Sequence, residues 1–281
     1  MRFRGISSHG RYLERLLEMA DDSDLVLVER RDAIAVVTLN EPQRMNPLGD
    51  QMRHALIAIM ENEMASPDVH AIVLTGAGGQ FSAGADVRQM RTDQGPDPAR
   101  SRRRLEPLHR IVRLVAGGPK PVVVAVEGVA FGAGLSIAAA SDFLVCGASA
   151  RFGAAFGKIG LTADCGLLWS LPQRIGLARA KNMMFTGQPL LADQAFDFGL
   201  ADRKVEAGKA LESAIDKARE YLDTAPLSIA AIKSGLALGP ADLENALQIE
   251  REQQPMLSMT LDHDEGRKAF LEKRKPVFIG R

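Results

Sequence analysis

Two stretches of this sequence place small residues where a strand gives way to a helix, the arrangement that exposes main-chain N–H groups to a ligand. The first is Phe81-Ser82-Ala83-Gly84-Ala85-Asp86-Val87, which follows a buried apolar run. The second runs from Lys120 to Gly134, KPVVVAVEGVAFGAG, and again takes an apolar strand into a small-residue turn and a helix. One donor from each turn, converging on a single oxygen, would make an oxyanion hole. Either turn taken alone reads equally well as a tight connection.

The elements that must position these turns follow from hydrophobic periodicity. Residues 25–28 and 34–39 are β-rich runs separated by the charged tetrad Glu29 to Asp32, which predicts a hairpin. Met52, Leu56, Met60 and Met64 recur at helical spacing, and Ala71 to Leu74 is a short buried strand ended by glycines. A helix over 99–116, closed by Gly117-Gly118-Pro119, leads to a strand at 122–126, a small-residue helix at 132–140 and a strand at 143–145. This alternation predicts an α/β architecture with buried strands. Beyond about residue 175 the strand signal fades, and helices are expected at 177–186, 192–198, 209–223, 226–237, 240–259 and 263–273. The chain thus divides into an N-terminal extension, 1–24, with a short amphipathic helix at 11–20, a core, 25–220, and a C-terminal helical region, 221–281.

Thirty-five basic residues balance thirty-five acidic ones, so no whole-protein field draws the chain to nucleic acid or to an anionic membrane, and neither is expected as a partner. Two cysteines, Cys146 and Cys165, show neither CxxC spacing nor a disulfide framework, which points to a reducing cytoplasm. No segment approaches the roughly 20 apolar residues of a membrane span, and the amino terminus lacks an apolar run of signal-peptide length. The Arg100 to Arg104 cluster reads as a solvated helix face.

Taken together, the two turns resemble those of the crotonase superfamily (enoyl-CoA hydratase/isomerase), whose members carry FSAGxD and, later in the chain, KPVIAAVNGxAxGGG. The resemblance runs from about Val26 to Ile279. It implies a crotonase-like spiral of ββα repeats, followed by C-terminal helices that pack in homotrimers, often paired into homohexamers. It also implies an acyl-CoA thioester substrate, with coenzyme A as part of that substrate and no prosthetic group or metal. By this resemblance the hole is formed by the N–H groups of Ala85 and Ala133, and Ala83, Asp86 and Val87 lie against the adenine end of coenzyme A. Arg44 and Lys273 best match the family's positive side chains near the CoA phosphates, and each reads equally as a solvated surface charge.

Acid/base residues decide the reaction. Hydratases of this family use two glutamates to position and activate water; those positions are Ser136 and Phe156 here, which disfavours hydration and the hydrolase that uses a glutamate there. Asp164 falls where Δ3,Δ2-enoyl-CoA and ring-1,2-epoxyphenylacetyl-CoA isomerases carry the aspartate that shuttles the proton. A single flexible carboxylate is what allylic isomerisation needs, although Asp164 is also placed to cap a helix starting near Gly166. Asp164 and His109 coincide as well with the nucleophilic aspartate and the histidine of 4-chlorobenzoyl-CoA dehalogenase, but Phe156 stands where that enzyme has tryptophan. A third reading is a CoA-binding paralogue without catalysis. Trp169, with Leu167, Leu168 and Leu171, can line an acyl pocket or fill the core. Isomerisation by Asp164 is the expectation.

Overall fold

The computed structural model describes residues 25–86, 95 and 97–281. The extension at 1–24, with its expected helix, and Val87 lie outside the described residues.

Strands β1 (Val26–Arg31) and β2 (Ile34–Leu39) pair antiparallel, as the hairpin reading expects. The charged residues Glu29 to Arg31 continue β1, however, and the turn shrinks to Asp32, at φ 56°, and Ala33. They are tolerated because β1 is the edge of its sheet, where side chains reach water and charge discourages pairing with another edge.

From β2 onward the larger sheet is parallel. It runs in the order β1-β2-β3-β4-β6-β9, with β3 at Ala71–Gly76, β4 at Val122–Val126, β6 at Phe143–Gly147 and β9 at Arg203–Val205. Interior parallel strands are covered on both faces, which is why β4 is apolar at every position. Val122, Val124 and Val126 join the main core with helices α1 (Asp50–Ala65) and α2 (Pro98–Gly117). Val123 and Ala125 face Ala214, Ile215 and Ala218 of α7 (Ala210–Tyr221).

A smaller sheet is built in step with the larger one. Strand β5 (Val129–Phe131) pairs with β7 (Arg151–Gly153), which pairs with β8 (Leu190–Leu191), and Ser82 bridges Ala130 of β5. After each of β3, β4 and β6, therefore, the chain leaves one segment in this second layer before moving on. Helix α3 (Ala133–Ala139) follows β5, and α4 (Leu167–Ile175) follows β7, so the architecture is a spiral of ββα units. Strands β5, β7, β8 and β9 have two or three residues each, too few to complete an alternation that a sequence pattern can register. The strand signal that fades near residue 175 therefore misses β8 and β9.

Helices α5 (Leu177–Thr186) and α6 (Ala192–Asp197) flank β8, and α8 (Pro226–Ala237), α9 (Leu243–Leu257) and α10 (Leu261–Glu272) close the chain. Lys233 fastens α8 to the core. Its buried ammonium donates to the carbonyls of Val115 and Lys120, each at 2.9 Å, and pairs with Asp142. Burial pushes the Asp142 carboxyl up and the Lys233 amine down in pKa, and the attraction between them opposes both shifts. No described helix is long and apolar enough to cross a membrane.

Candidate active site

The two small-residue turns meet. A Cβ on Gly84 would lie 2.5 Å from the Phe131 carbonyl oxygen and 3.3 Å from the Ala133 nitrogen, so only glycine permits the approach. Gly132, at φ 51° and ψ −121°, reverses the second turn into α3. Leu48 N–H donates to the Gly84 carbonyl at 2.7 Å, and Ala83 N–H to that of Met45 at 2.8 Å, pinning the first turn from outside. The N–H groups of Ala85 and Ala133 find no acceptor among the described residues.

Buried polar side chains that the sequence reading does not single out hold this arrangement. The Asn46 amide donates to the Ala77 and Gln80 carbonyls at 3.0 and 2.7 Å, and its oxygen accepts from Glu41 N–H at 2.8 Å. Ser82 Oγ donates to the Asn46 carbonyl at 2.8 Å and accepts from Gly84 N–H at 3.1 Å. A polar residue in a loop beside a glycine-rich turn is the available signal, but its partners are too distant in sequence to be read.

Asp164 is clamped to the same helix. The Ser136 hydroxyl, one turn into α3, lies 3.1 Å from both the Asp164 and the Gly132 carbonyl oxygens, and Leu167 N–H donates to Asp164 O at 3.0 Å. Capping by the Asp164 side chain is not what the structure shows. Helix α4 begins from Gly166 in the left-handed conformation at φ 74°, with no side-chain cap, and Asp164 Oδ1 is buried without a hydrogen-bond partner. Burial raises the Asp164 pKa, opposed by a Cys165 thiol hydrogen bond and by the charge of His109 on α2. His109 is near enough for its charge to act on Asp164, but no hydrogen bond or ion pair joins the two among the described residues. Phe156 is buried too, its ring tip 3.9 Å from where a Cβ on Gly132 would project, so an apolar wall occupies the second glutamate position. A buried carboxylate on a loop tied to the helix that starts at Ala133, whose N–H finds no acceptor among the described residues, is equipped to take a proton from carbon beside a carbonyl whose oxygen such donors hold.

The sequence pattern of the enoyl-CoA hydratase/isomerase family matches residues 29–281. The chain belongs to that family. It is 33% identical over 260 residues to 1,2-epoxyphenylacetyl-CoA isomerase of Escherichia coli K12, covering 92% of this chain and 99% of that protein. It is also 33% identical over 257 residues to the short-chain-enoyl-CoA hydratase of Clostridium acetobutylicum, covering 89% and 95%. Among solved structures, an enoyl-CoA hydratase from Bacillus anthracis superposes with a TM-score of 0.84 at 28% identity, over 92% of this chain and all of that one. A probable enoyl-CoA hydratase/isomerase from Mycobacterium abscessus gives 0.81 at 33%, over 91% and 98%. The fold is the crotonase fold, as the paired turns imply.

The remaining residues that family membership draws attention to are differently placed. Arg44 and Asp86 are together, but as each other's partners: Arg44 bonds Asp86 at 2.7 Å and Glu41 at 2.8 Å. Lys273 is exposed at the end of α10, at φ 57°.

Proposed function

We propose that this member of the enoyl-CoA hydratase/isomerase family is an isomerase that moves a double bond in an acyl-CoA thioester, with Asp164 as the proton shuttle. The carboxylate takes a proton from C2 of a 3-enoyl thioester. The electron pair moves onto the thioester oxygen, which the Ala85 and Ala133 N–H groups hold as charge develops. The enolate then collapses, the same acid returns the proton at C4, and the double bond is left between C2 and C3. The observation that carries this reading is the buried, unpartnered Oδ1 of Asp164 on a loop tied to the first turn of α3. With Ser136 spent on that loop and Phe156 apolar, neither is equipped to activate water. In this reading the adenine end of coenzyme A lies along Ala83 and Asp86, and Arg44 or Lys273 meets its phosphates.

The test is deuterium exchange into 3-enoyl-CoA in D2O, followed by mass spectrometry. Migration of the double bond with deuterium uptake and no added oxygen is expected. Formation of a hydroxyacyl product as the main outcome overturns the isomerase. The reach of the His109 charge to Asp164 favours one second reading, a hydrolytic dehalogenase. Label from H2(18)O appearing in Asp164 after a single turnover of 4-chlorobenzoyl-CoA would establish it, and tight CoA binding without exchange would mark a non-catalytic paralogue.

Self-association into trimers or hexamers belongs to the same reading. Its support is the apolar surface of the C-terminal helical region, where Leu243, Phe270 and Leu271 on the helices and Met259 in the turn between α9 and α10 are 69%, 84%, 71% and 82% exposed. Light scattering is expected to return a multiple of three chains, and a monomer mass removes this part.

A further inference from the structure

An apolar groove of about 650 Å³ lies between α2, α4 and α8, and its walls include Val112, Ala116, Trp169, Ala237 and Leu238. It is walled by the helix that carries His109 and by the helix that follows Asp164. His109, whose charge acts on Asp164, is one helical turn before Val112 and Arg113 on α2, roughly 6 Å along the axis for the four residues to Arg113. Val112 Cγ1 is 3.3 Å from where a Cβ on Gly166 would project, two residues beyond Asp164, and Trp169 is on the next turn. Gly239 sits just past the end of α8, at φ 62°. It presents no side chain to the indole, and a Cβ there would lie 3.7 Å from Trp169 Nε1.

The polar groups of this groove are of one kind. Arg113 is exposed at its edge and has neither a salt-bridge nor a hydrogen-bond partner among the described residues. The Trp169 Nε1 donor is equally unpaired among them, whereas the Ser234 hydroxyl already donates to the Ala231 carbonyl at 3.1 Å. No carboxylate side chain lines the groove among the described residues. Apolar walls with two unsatisfied donors and no acidic neighbour suit a ligand that is apolar along its length and carries acceptor oxygens at its end.

We infer that the groove receives the far end of the acyl group and that Arg113 makes the enzyme select thioesters bearing a terminal carboxylate, the ω-carboxyacyl-CoA class. This rests on the reading above, which places the reacting carbons at Asp164. Arg113 touches only the remote end of the substrate, so its role is specificity and not proton transfer.

Two saturated thioesters separate the inference from that reading, because neither can isomerise: hexanoyl-CoA and adipyl-CoA, which has a carboxylate in place of the terminal methyl. Calorimetric titration of wild type is expected to show adipyl-CoA binding about tenfold tighter at low salt, the scale of one charge-assisted contact. Arg113→Gln, a change at an exposed position, is expected to bring the two affinities within about twofold by weakening adipyl-CoA alone. Equal affinities in wild type, a preference that survives in Arg113→Gln, or failure of wild type to bind either thioester overturns the inference. Selective binding of adipyl-CoA without turnover of any 3-enoyl-CoA would leave the groove assignment standing and remove the isomerase.

Discussion

Asp164→Asn is expected to lower kcat for double-bond migration by about 10²- to 10⁴-fold while leaving the Kd for the thioester nearly unchanged. The amide keeps the shape of the carboxylate and loses its capacity to accept a proton from carbon. The same substitution is expected to raise thermal stability near neutral pH. Burial raises the Asp164 pKa in the folded chain, so folding weakens as pH rises from the unfolded to the folded value, and the penalty is fully present above the latter. Below the unfolded value the group is protonated in both states and contributes nothing. The gap in Tm between Asn and Asp should therefore close in acid, and wild-type activity should fall as Asp164 is protonated, at a pH above that of an ordinary carboxylate. Steady-state kinetics and melting curves over the acid range read both effects. Wild-type turnover by the Asn variant would remove Asp164 from the chemistry, and unchanged stability would remove the account of its burial.

Gly84→Ala is expected to reduce kcat/KM by about 10²- to 10³-fold, the loss that follows when an oxyanion donor is displaced. Its Cβ would sit 2.5 Å from the Phe131 carbonyl oxygen, on a backbone with φ 90°, so the first turn must swing away from Ala133. Gly79→Ala separates this from general strain. Gly79 also has a positive φ, 68°, but a Cβ there meets nothing within 4 Å. That variant is expected to lose roughly 1–2 kcal/mol of stability and to keep its activity. Urea unfolding and kinetics on both proteins make the comparison. Equal activities in the two would mean that contact between the turns is not what holds the donors in place.

Much of this was legible in the sequence because the informative features are local. A strand, a small-residue turn and a helix occupy adjacent positions around Gly132, a strand and a small-residue turn around Gly84, and helices α5 and α8 match their predicted limits, 177–186 and 226–237, because Gly176 and Gly187 bound the one and Pro226 starts the other. What escaped depends on distant partners. Asn46 is defined by carbonyls 31 and 34 residues away, and Ser136 by a carbonyl 28 residues away, so neither has a local signature. The cap expected at Asp164 is absent because Gly166, in the left-handed conformation, starts α4 without needing a side chain. The pairing of Arg44 with Asp86 was hidden for the same reason, since 42 residues separate them. Charge misled the reading once, at Glu29 to Arg31, because an edge strand tolerates the composition that an interior strand excludes.

The two N–H groups that find no acceptor among the described residues belong to the main chain, and that divides responsibility within the pocket. A substitution at Ala85 or Ala133 changes what surrounds the hole without deleting a donor, unless it moves the backbone. On the proposed isomerase reading, stabilisation of a negative oxygen is therefore a property of the fold, while the side chains at 136, 156 and 164 select which proton transfers can occur. Such a pocket is modular: a lineage can exchange one reaction for another by replacing a few side chains around an anion-holding backbone that never has to be reinvented.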